Sequence, residues 1–482
     1  MSPVVALALF GWFGVAAALF SALTPRRAVI ASIAAGWMFL PIVLGGGGGL
    51  RWAKFHSVAL AALAMSVTFH PAAVARLRPR WCDLPIIGWC LCPVPSSLDN
   101  GLGLYDGLNQ AFHQTVAYGV PWLLGRAYFR TPADLRDLAL GLVAGGVGYI
   151  PVCVYEVLFS PSLHLKIYGY HQHSFLMHIR YGGYRPMAFM DNGIMVGLWM
   201  SASVVTAFWL WRTRVLTERL CFGVPAGLVV AALGWTAVIC KSTGALALGA
   251  LGLAAMWVAG LRYGRPFARS AIAGLLVLAP VYIAVRAARV WDGDDLVRLV
   301  AEHLSPDRAQ SLQFRFDNEE PLVDKAFERP LFGWGGWGRA RIFDEKTGRD
   351  LSTTDALWII GFGDRGLTGL ALVYAAMLWP SVRFAAAVPI QWWSHPAVAP
   401  AAALAVVLVM WTLDSLLNAG ANPYYLLAGG ALAGVAWNPP RPVAAQPPAP
   451  PRRAAPPGRP RRSAAGSPSA AQPRPDTRTL PR

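Results

Sequence analysis

Apolar runs long enough to cross a hydrocarbon layer of ~30 Å recur along the first 437 residues. They fall near 3–23, 28–45, 55–75, 84–98, 111–128, 137–159, 192–211, 220–240, 243–261, 270–288, 359–380, 397–417 and 424–437. Read as helices, they predict an all-α integral membrane protein with about 12–13 transmembrane helices; the runs at 84–98 and 424–437 are the short ones. Two polar segments interrupt the series, 160–191 and 289–354. The second spans 66 residues and carries 13 of the 25 acids, so half the acidic charge is concentrated in one loop. Long loops without linker composition are usually functional. Past residue 437 the apolar pattern stops, and 438–482 reads as a disordered Pro- and Arg-rich tail.

Composition agrees with that layout. Hydrophobic residues make up 55% and charged residues 14% of the 482, against about 25% charge in a soluble domain. A water-facing surface cannot be built from so few charges. The net charge is +17, and nine Arg against one acid, Asp476, lie in the tail. Arg26/Arg27, Arg76/Arg78/Arg80, Arg126/Arg130/Arg136, Arg212/Arg214/Arg219, Arg262/Arg265/Arg269 and Arg383 occupy alternate loops. The positive-inside rule puts these and the tail in the cytoplasm and both polar loops outside. A tail of this charge suits anionic headgroups better than nucleic acid. The run 3–23 has no basic segment ahead of it and reads as a retained first span. Cys82, Cys90, Cys92, Cys153, Cys221 and Cys240 mostly sit in apolar surroundings without zinc spacing, so they read as buried small hydrophobes. The glycine run Gly45–Gly49 reads as a flexible turn, and no P-loop is present.

Candidate chemistry therefore belongs to the polar loops. The first contains His171, His173 and His178 among several Tyr, and ends at Asp191-Asn192, placed to bond sugar hydroxyls or to cap the next helix. The His set is a weak metal pattern without a nearby carboxylate or thiolate; interleaved with aromatics, it suits stacking on sugar rings or headgroups. In the second loop Arg315 precedes an expected amphipathic helix with Leu322, Ala326 and Phe327 on one face, followed by Pro330-Leu331-Phe332-Gly333-Trp334-Gly335-Gly336-Trp337-Gly338. The glycine-rich turn with Trp334 and Trp337 reads as lying at a membrane interface or against substrate. Asp364-Arg365 then interrupts an apolar run and reads as a structural pair at the edge of a span.

The stretch from about Arg315 to Leu370, with its Arg, helix, P-L-F-G-W-G-G-W-G and D-R-G-L-T-G-L, resembles the O-antigen ligase and O-antigen polymerase family. The resemblance implies a bacterial cytoplasmic-membrane enzyme that moves a glycan from an undecaprenyl-pyrophosphate carrier to a sugar acceptor at the outer face. It implies no metal or other cofactor, and as partners a lipid-linked glycan donor, a glycan or glycolipid acceptor, membrane lipids and polysaccharide-assembly proteins. Lys241-Ser242-Thr243-Gly244-Ala245 is similar to the family's basic helix start, with Lys241 one residue early. Gly182-Gly183-Tyr184-Arg185-Pro186 stands where the family keeps a second outward Arg. Arg185, Arg315 and Lys241 are then the diphosphate ligands, because cationic donors neutralise a departing diphosphate and guanidinium groups bind it bidentately. The family's catalytic His is replaced by Asp355, either as base toward the acceptor hydroxyl or as a helix cap. Ligase and polymerase share this reading. A transporter would place charges along its spans, which here are nearly charge-free, and a scaffold that has lost catalysis with its His is the third alternative.

Overall fold

In the computed structural model the chain divides after Pro439 into two units. The described residues, 2–43, 52–218, 223–260 and 265–437, all belong to the first. The tail expected at 438–482, the glycine run, Cys221, Arg219 and Arg262 lie outside them.

The described residues form an all-α bundle whose named strands are two-residue segments, Ile179–Arg180 and Gly183–Tyr184, paired as a small hairpin. Five helices are long and apolar enough to cross a membrane: Pro3–Ala22, Asp134–Phe159, Gly193–Arg212, Arg269–Ala287 and Leu357–Ala387. Lys54–Phe69, Ala226–Ile239, Thr243–Ala259 and Ala399–Asp414 are shorter apolar helices. At the centre stands Pro423–Gly434, buried along its whole length. Small residues on it and on its neighbour Val120–Tyr128 permit this: a Cβ on Gly125 would come within 2.1 Å of the Leu427 carbonyl, and one on Gly430 within 2.1 Å of the Trp122 carbonyl. Backbone-to-backbone contact of this kind is what glycine-rich stripes provide where no hydrophobic driving force separates helix from lipid. The shortness of the last apolar run thus reflects a core helix.

Three expected spans differ in shape. The run 84–98 is split into Leu84–Leu91 and Pro93–Asp99, because Pro93 lacks the N–H that would continue the first helix. The run 111–128 begins earlier, at Gly103, and passes through a π-helical turn at Thr115–Gly119 before Val120–Tyr128. The run 359–380 extends to Leu357–Ala387 but is broken at Gly366, whose φ of 64° and ψ of −170° are not helical.

Hydrogen bonds and ion pairs sort the helix ends into two layers. In one, Arg26 pairs with Asp134 and Asp137, Arg126 with Asp83, and Arg136 with the Val215 carbonyl. Arg80 and Arg383 in the same layer donate to the Gly434 and Ala433 carbonyls. The opposite layer gathers the segment 160–191, the turn at Lys241–Thr243, the Arg-bearing helix Pro306–Phe327 and the loop after Asp414.

Candidate functional site

The helix Pro306–Phe327 is opened by Ser305, whose side chain accepts from the Arg308 amide. It places Arg315 in its middle, two turns after Arg308, whereas the sequence reading set Arg315 ahead of the helix. Ala309, Leu312, Phe316, Glu319, Leu322, Val323 and Ala326 form its buried stripe. Phe327, expected on that face, is half-exposed, although its ring meets Phe362 edge-on at 5.0 Å. Glu319, one turn beyond Arg315, anchors the helix. It accepts from Arg286 Nε at 3.1 Å, from the Tyr282 hydroxyl at 3.2 Å and from Trp358 Nε1 at 3.3 Å. Burial pushes its carboxyl above the usual range, against the pull of Arg286.

Arg185 approaches from the other polar loop. Its backbone N–H donates to the His178 carbonyl at 2.8 Å and its Nη2 to the Ser242 hydroxyl at 3.1 Å. Lys241 is spent on the same loop, donating to the Arg180 carbonyl at 3.1 Å from a left-handed backbone of φ 51°. Thr243 shares a 3.0 Å hydrogen bond with the Tyr181 hydroxyl, and the Arg308 guanidinium lies 5.0 Å from the Tyr181 ring. The Lys241–Thr243 turn therefore holds the hairpin that presents Arg185, and Lys241 serves as a brace.

Four guanidinium groups meet across these elements. Burial, then the charges of Arg180, Arg308 and Arg315, push Arg185 down to about 10, which leaves it cationic at neutral pH. The Nε atoms of Arg185, Arg308 and Arg315 are all buried without a hydrogen-bond partner. Arg315 Nη2 reaches Asn418 Oδ1 at 3.4 Å, and Asn418 Nδ2 donates to Asp414 Oδ1 at 3.0 Å. Asp355 faces Arg315 with Oδ2 4.0 Å from Nε, an ion-pair distance too long for a hydrogen bond. Both line one cleft with Asn318, Glu319, Thr353 and Leu417. Asp355 is not the helix cap: Ala356 holds that position, and the Leu357 amide donates to the Ser415 carbonyl at 3.0 Å. Arg180, Arg308 and Asn418 were not singled out in the sequence. Only Arg308 carried a signal, its seven-residue spacing from Arg315.

The remaining candidates lie elsewhere. Asn192 caps Gly193–Arg212, accepting from the Ile194 and Met195 amides at 2.9 and 3.1 Å. Asp191 is raised above the usual carboxylate range by burial, opposed by Lys54 and His173, and belongs with them rather than with the arginines. His178 bonds the Ser174 carbonyl through Nδ1 at 2.8 Å and accepts from the Gly193 amide through Nε2 at 3.3 Å. Burial lowers it to about 4, so it is a neutral tie of the loop. Among the described residues no three His, Cys, Asp or Glu gather as a metal group would require.

The glycine-rich stretch forms a latch. Leu367 and Thr368, just past the break, donate to the Pro330 and Leu331 carbonyls at 2.7 and 3.3 Å. In return Trp334 and Gly335 donate to the Gly363 and Asp364 carbonyls at 2.8 and 3.0 Å. The Asp364 carbonyl also accepts from Ser96 at 2.9 Å and from Arg365 Nη1 at 3.4 Å, and Arg365 Nη2 reaches Gln110 Oε1 at 2.5 Å. The indole N–H of Trp334 donates to the Lys325 carbonyl at 2.6 Å, and Lys325 Nζ sits 3.8 Å over its ring. Trp337, 61% exposed, donates to Asp106 Oδ1 at 2.6 Å. Both Trp thus tie the latch to the Arg-bearing helix and to Gly103–Gln114. No family model matches this sequence, and no curated protein matches it.

Proposed function

We propose that this chain is a membrane transferase that moves a glycan from a polyprenyl-pyrophosphate carrier to a sugar hydroxyl at the outer face of a bacterial cytoplasmic membrane. The observation that carries the reading is the meeting of Arg180, Arg185, Arg308 and Arg315, three of them with a buried Nε lacking a partner. Guanidinium groups stay protonated and present paired donors to phosphate oxygens. The layer of basic loops lies at the other end of the bundle, which by the positive-inside rule is cytoplasmic and leaves the arginines outside.

In this reading the acceptor oxygen attacks the anomeric carbon from the side opposite the diphosphate. The carbon–oxygen bond to the diphosphate breaks and its electron pair leaves with that oxygen, while Asp355 takes the proton of the attacking hydroxyl. The anomeric centre inverts. Arg185 and Arg315, with Arg308 and Arg180 behind them, neutralise the charge on the departing diphosphate, and each donor aimed there is worth about 3 kcal/mol. Ligase and polymerase share these steps and differ in the acceptor.

The test is complementation of a gene deletion with wild type, Arg315→Ala, Arg308→Ala and Asp355→Ala at matched protein levels. The readouts are the surface-polysaccharide ladder and the polyprenyl-linked glycan pool. The expected result is a changed ladder that none of the variants restores. Single units then identify a polymerase, and full-length chains stranded on the carrier a ligase. A wild-type ladder from Arg315→Ala and Asp355→Ala overturns the proposal.

A further inference from the structure

The layer of basic loops contains a second concavity, unrelated to the arginine cluster. A crevice of about 630 Å³ opens between the segment Pro79–Leu84 and the far end of Leu357–Ala387, lined by Arg80, Trp81, Cys82, Leu84, Trp379 and Arg383. Its apolar walls face outward: Trp81 is 88%, Leu84 48% and Trp379 45% exposed. Two indoles and a leucine so exposed at the ends of apolar helices match the headgroup level of a bilayer, where Trp is favoured. Its polar rim is cationic. Arg80 donates to the Gly434 carbonyl at 3.5 Å and Arg383 to the Ala433 carbonyl, so both guanidinium groups are drawn to the C-terminal end of the buried central helix. Each has further N–H donors, since a guanidinium carries five.

We infer that this crevice binds an anionic phospholipid of the inner leaflet, with Arg80 and Arg383 on the phosphate and Trp81, Leu84 and Trp379 against the acyl chains. The neighbouring acid explains the preference for net negative charge. Asp83 is the carboxylate beside the rim, and both its oxygens are taken. Oδ1 accepts from Trp122 Nε1 and Arg126 Nε at 2.9 Å each, and Oδ2 from Arg126 Nη2 at 3.1 Å and the Arg80 amide at 3.0 Å. A zwitterionic headgroup would bring an ammonium to a rim with no carboxylate left for it. A bound phosphate would also sit beyond the Ala433 and Gly434 carbonyls with the arginines between, so opposite charges alternate from helix end to lipid.

The inference is tested on the full chain in mild detergent, offered equal phosphatidylglycerol and phosphatidylcholine, with retained lipid counted by native mass spectrometry. Wild type should retain phosphatidylglycerol preferentially. Arg80→Gln, at an exposed position whose loss spares the fold, should weaken retention about fivefold, the worth of one cation near a charged surface. Arg80→Gln with Arg383→Gln should weaken it about 25-fold on the same basis. Arg212→Gln, basic but outside the crevice, should retain lipid as wild type does. Equal retention by wild type and the double variant overturns the proposal, as does equal retention of both lipids. Displacement of phosphatidylglycerol by the same concentration of inorganic phosphate also overturns it, because the site would then read a free anion.

Discussion

Gly366→Ala should open the latch beside the arginine helix without touching any charged group. At φ 64° and ψ −170° Gly366 occupies a region essentially reserved for glycine, where another residue is strained by about 1–3 kcal/mol. A Cβ there would lie 2.4 Å from both the carbonyl carbon and oxygen of Leu331 and 2.6 Å from the Phe332 amide. All three are backbone atoms and cannot swing aside as a side chain would. Relief must move the 330–335 segment away, loosening the bonds from Leu367, Thr368, Trp334 and Gly335 described above, each worth about 1 kcal/mol. The combined local cost is about 5–7 kcal/mol. Hydrogen exchange of the full chain in detergent reads it directly: those four amides should lose protection together. Gly361→Ala is the control, since its Cβ would meet nothing closer than 3.8 Å, and a change of that kind stays within about 0.5 kcal/mol. If the four amides of Gly366→Ala exchange as slowly as those of Gly361→Ala, the latch does not hold the break as argued.

Three further outcomes are expected. His178 is held near 4 against an ordinary value of 6.5, so between those values the opened loop binds more protons than the closed one. Its contribution is therefore complete above about pH 6.5 and falls by about 3 kcal/mol as pH drops to about 4; exchange of the Arg185 and Gly193 amides, corrected for intrinsic rate, should speed up between pH 7 and 4.5, and a flat profile would remove His178 from that role. Glu319→Ala leaves Arg286 buried and unpaired and should cost about 3–5 kcal/mol, whereas Glu319→Leu with Arg286→Met should recover most of it; equal melting temperatures for the two would contradict a buried pair. Asn192→Ala should cost about 1 kcal/mol as a lost helix cap and leave any polysaccharide phenotype intact, and a dead but stable variant would return Asn192 to the site.

The apolar runs made the helices legible, because continuous hydrophobicity over some twenty residues has few other readings. Their interruptions were less so. Pro93 marked one break in plain sight, but the π-helical turn at Thr115–Gly119 and the reversal at Gly366 depend on what packs against them. The latch shows why residue type alone is not enough: Trp334 and Trp337 on a polar loop read equally well as interface anchors or substrate contacts, and the structure adds that their indole N–H groups are bonded to the Lys325 carbonyl and Asp106. Arg315 and Arg185 became candidates through a motif. Asn418 did not, since it stands 103 residues from the arginine it touches, and no local pattern encodes such a pairing. Asp355 was found by counting, yet its position one residue before the cap, rather than at it, came only from the structure.

The contrast between the buried arginines supports an anion at the site. Arg126 meets Asp83 through two nitrogens, at 2.9 and 3.1 Å. Arg286 is bonded by Glu319 and by the carbonyls of Trp291, Asp292 and Phe316. These two show how the fold treats a guanidinium it must enclose: each Nε is matched by a carboxylate oxygen. Arg185, which is buried, and Arg308 and Arg315, which are partly buried, are treated otherwise, each with an orphaned Nε and with like charges as neighbours. Desolvating a charge costs several kcal/mol when no counter-charge is supplied, and a cluster multiplies the repulsion. Asp355, half-exposed, lies 4.0 Å from Arg315; Asp414 acts on Arg315 and Arg185 and Asp307 on Arg180, so three acids face four arginines. A diphosphate would satisfy the cluster, offering several acceptor oxygens and two or more negative charges to donors already in place. The repulsion among the arginines would be relieved by that group, and most fully as its charge grows during departure.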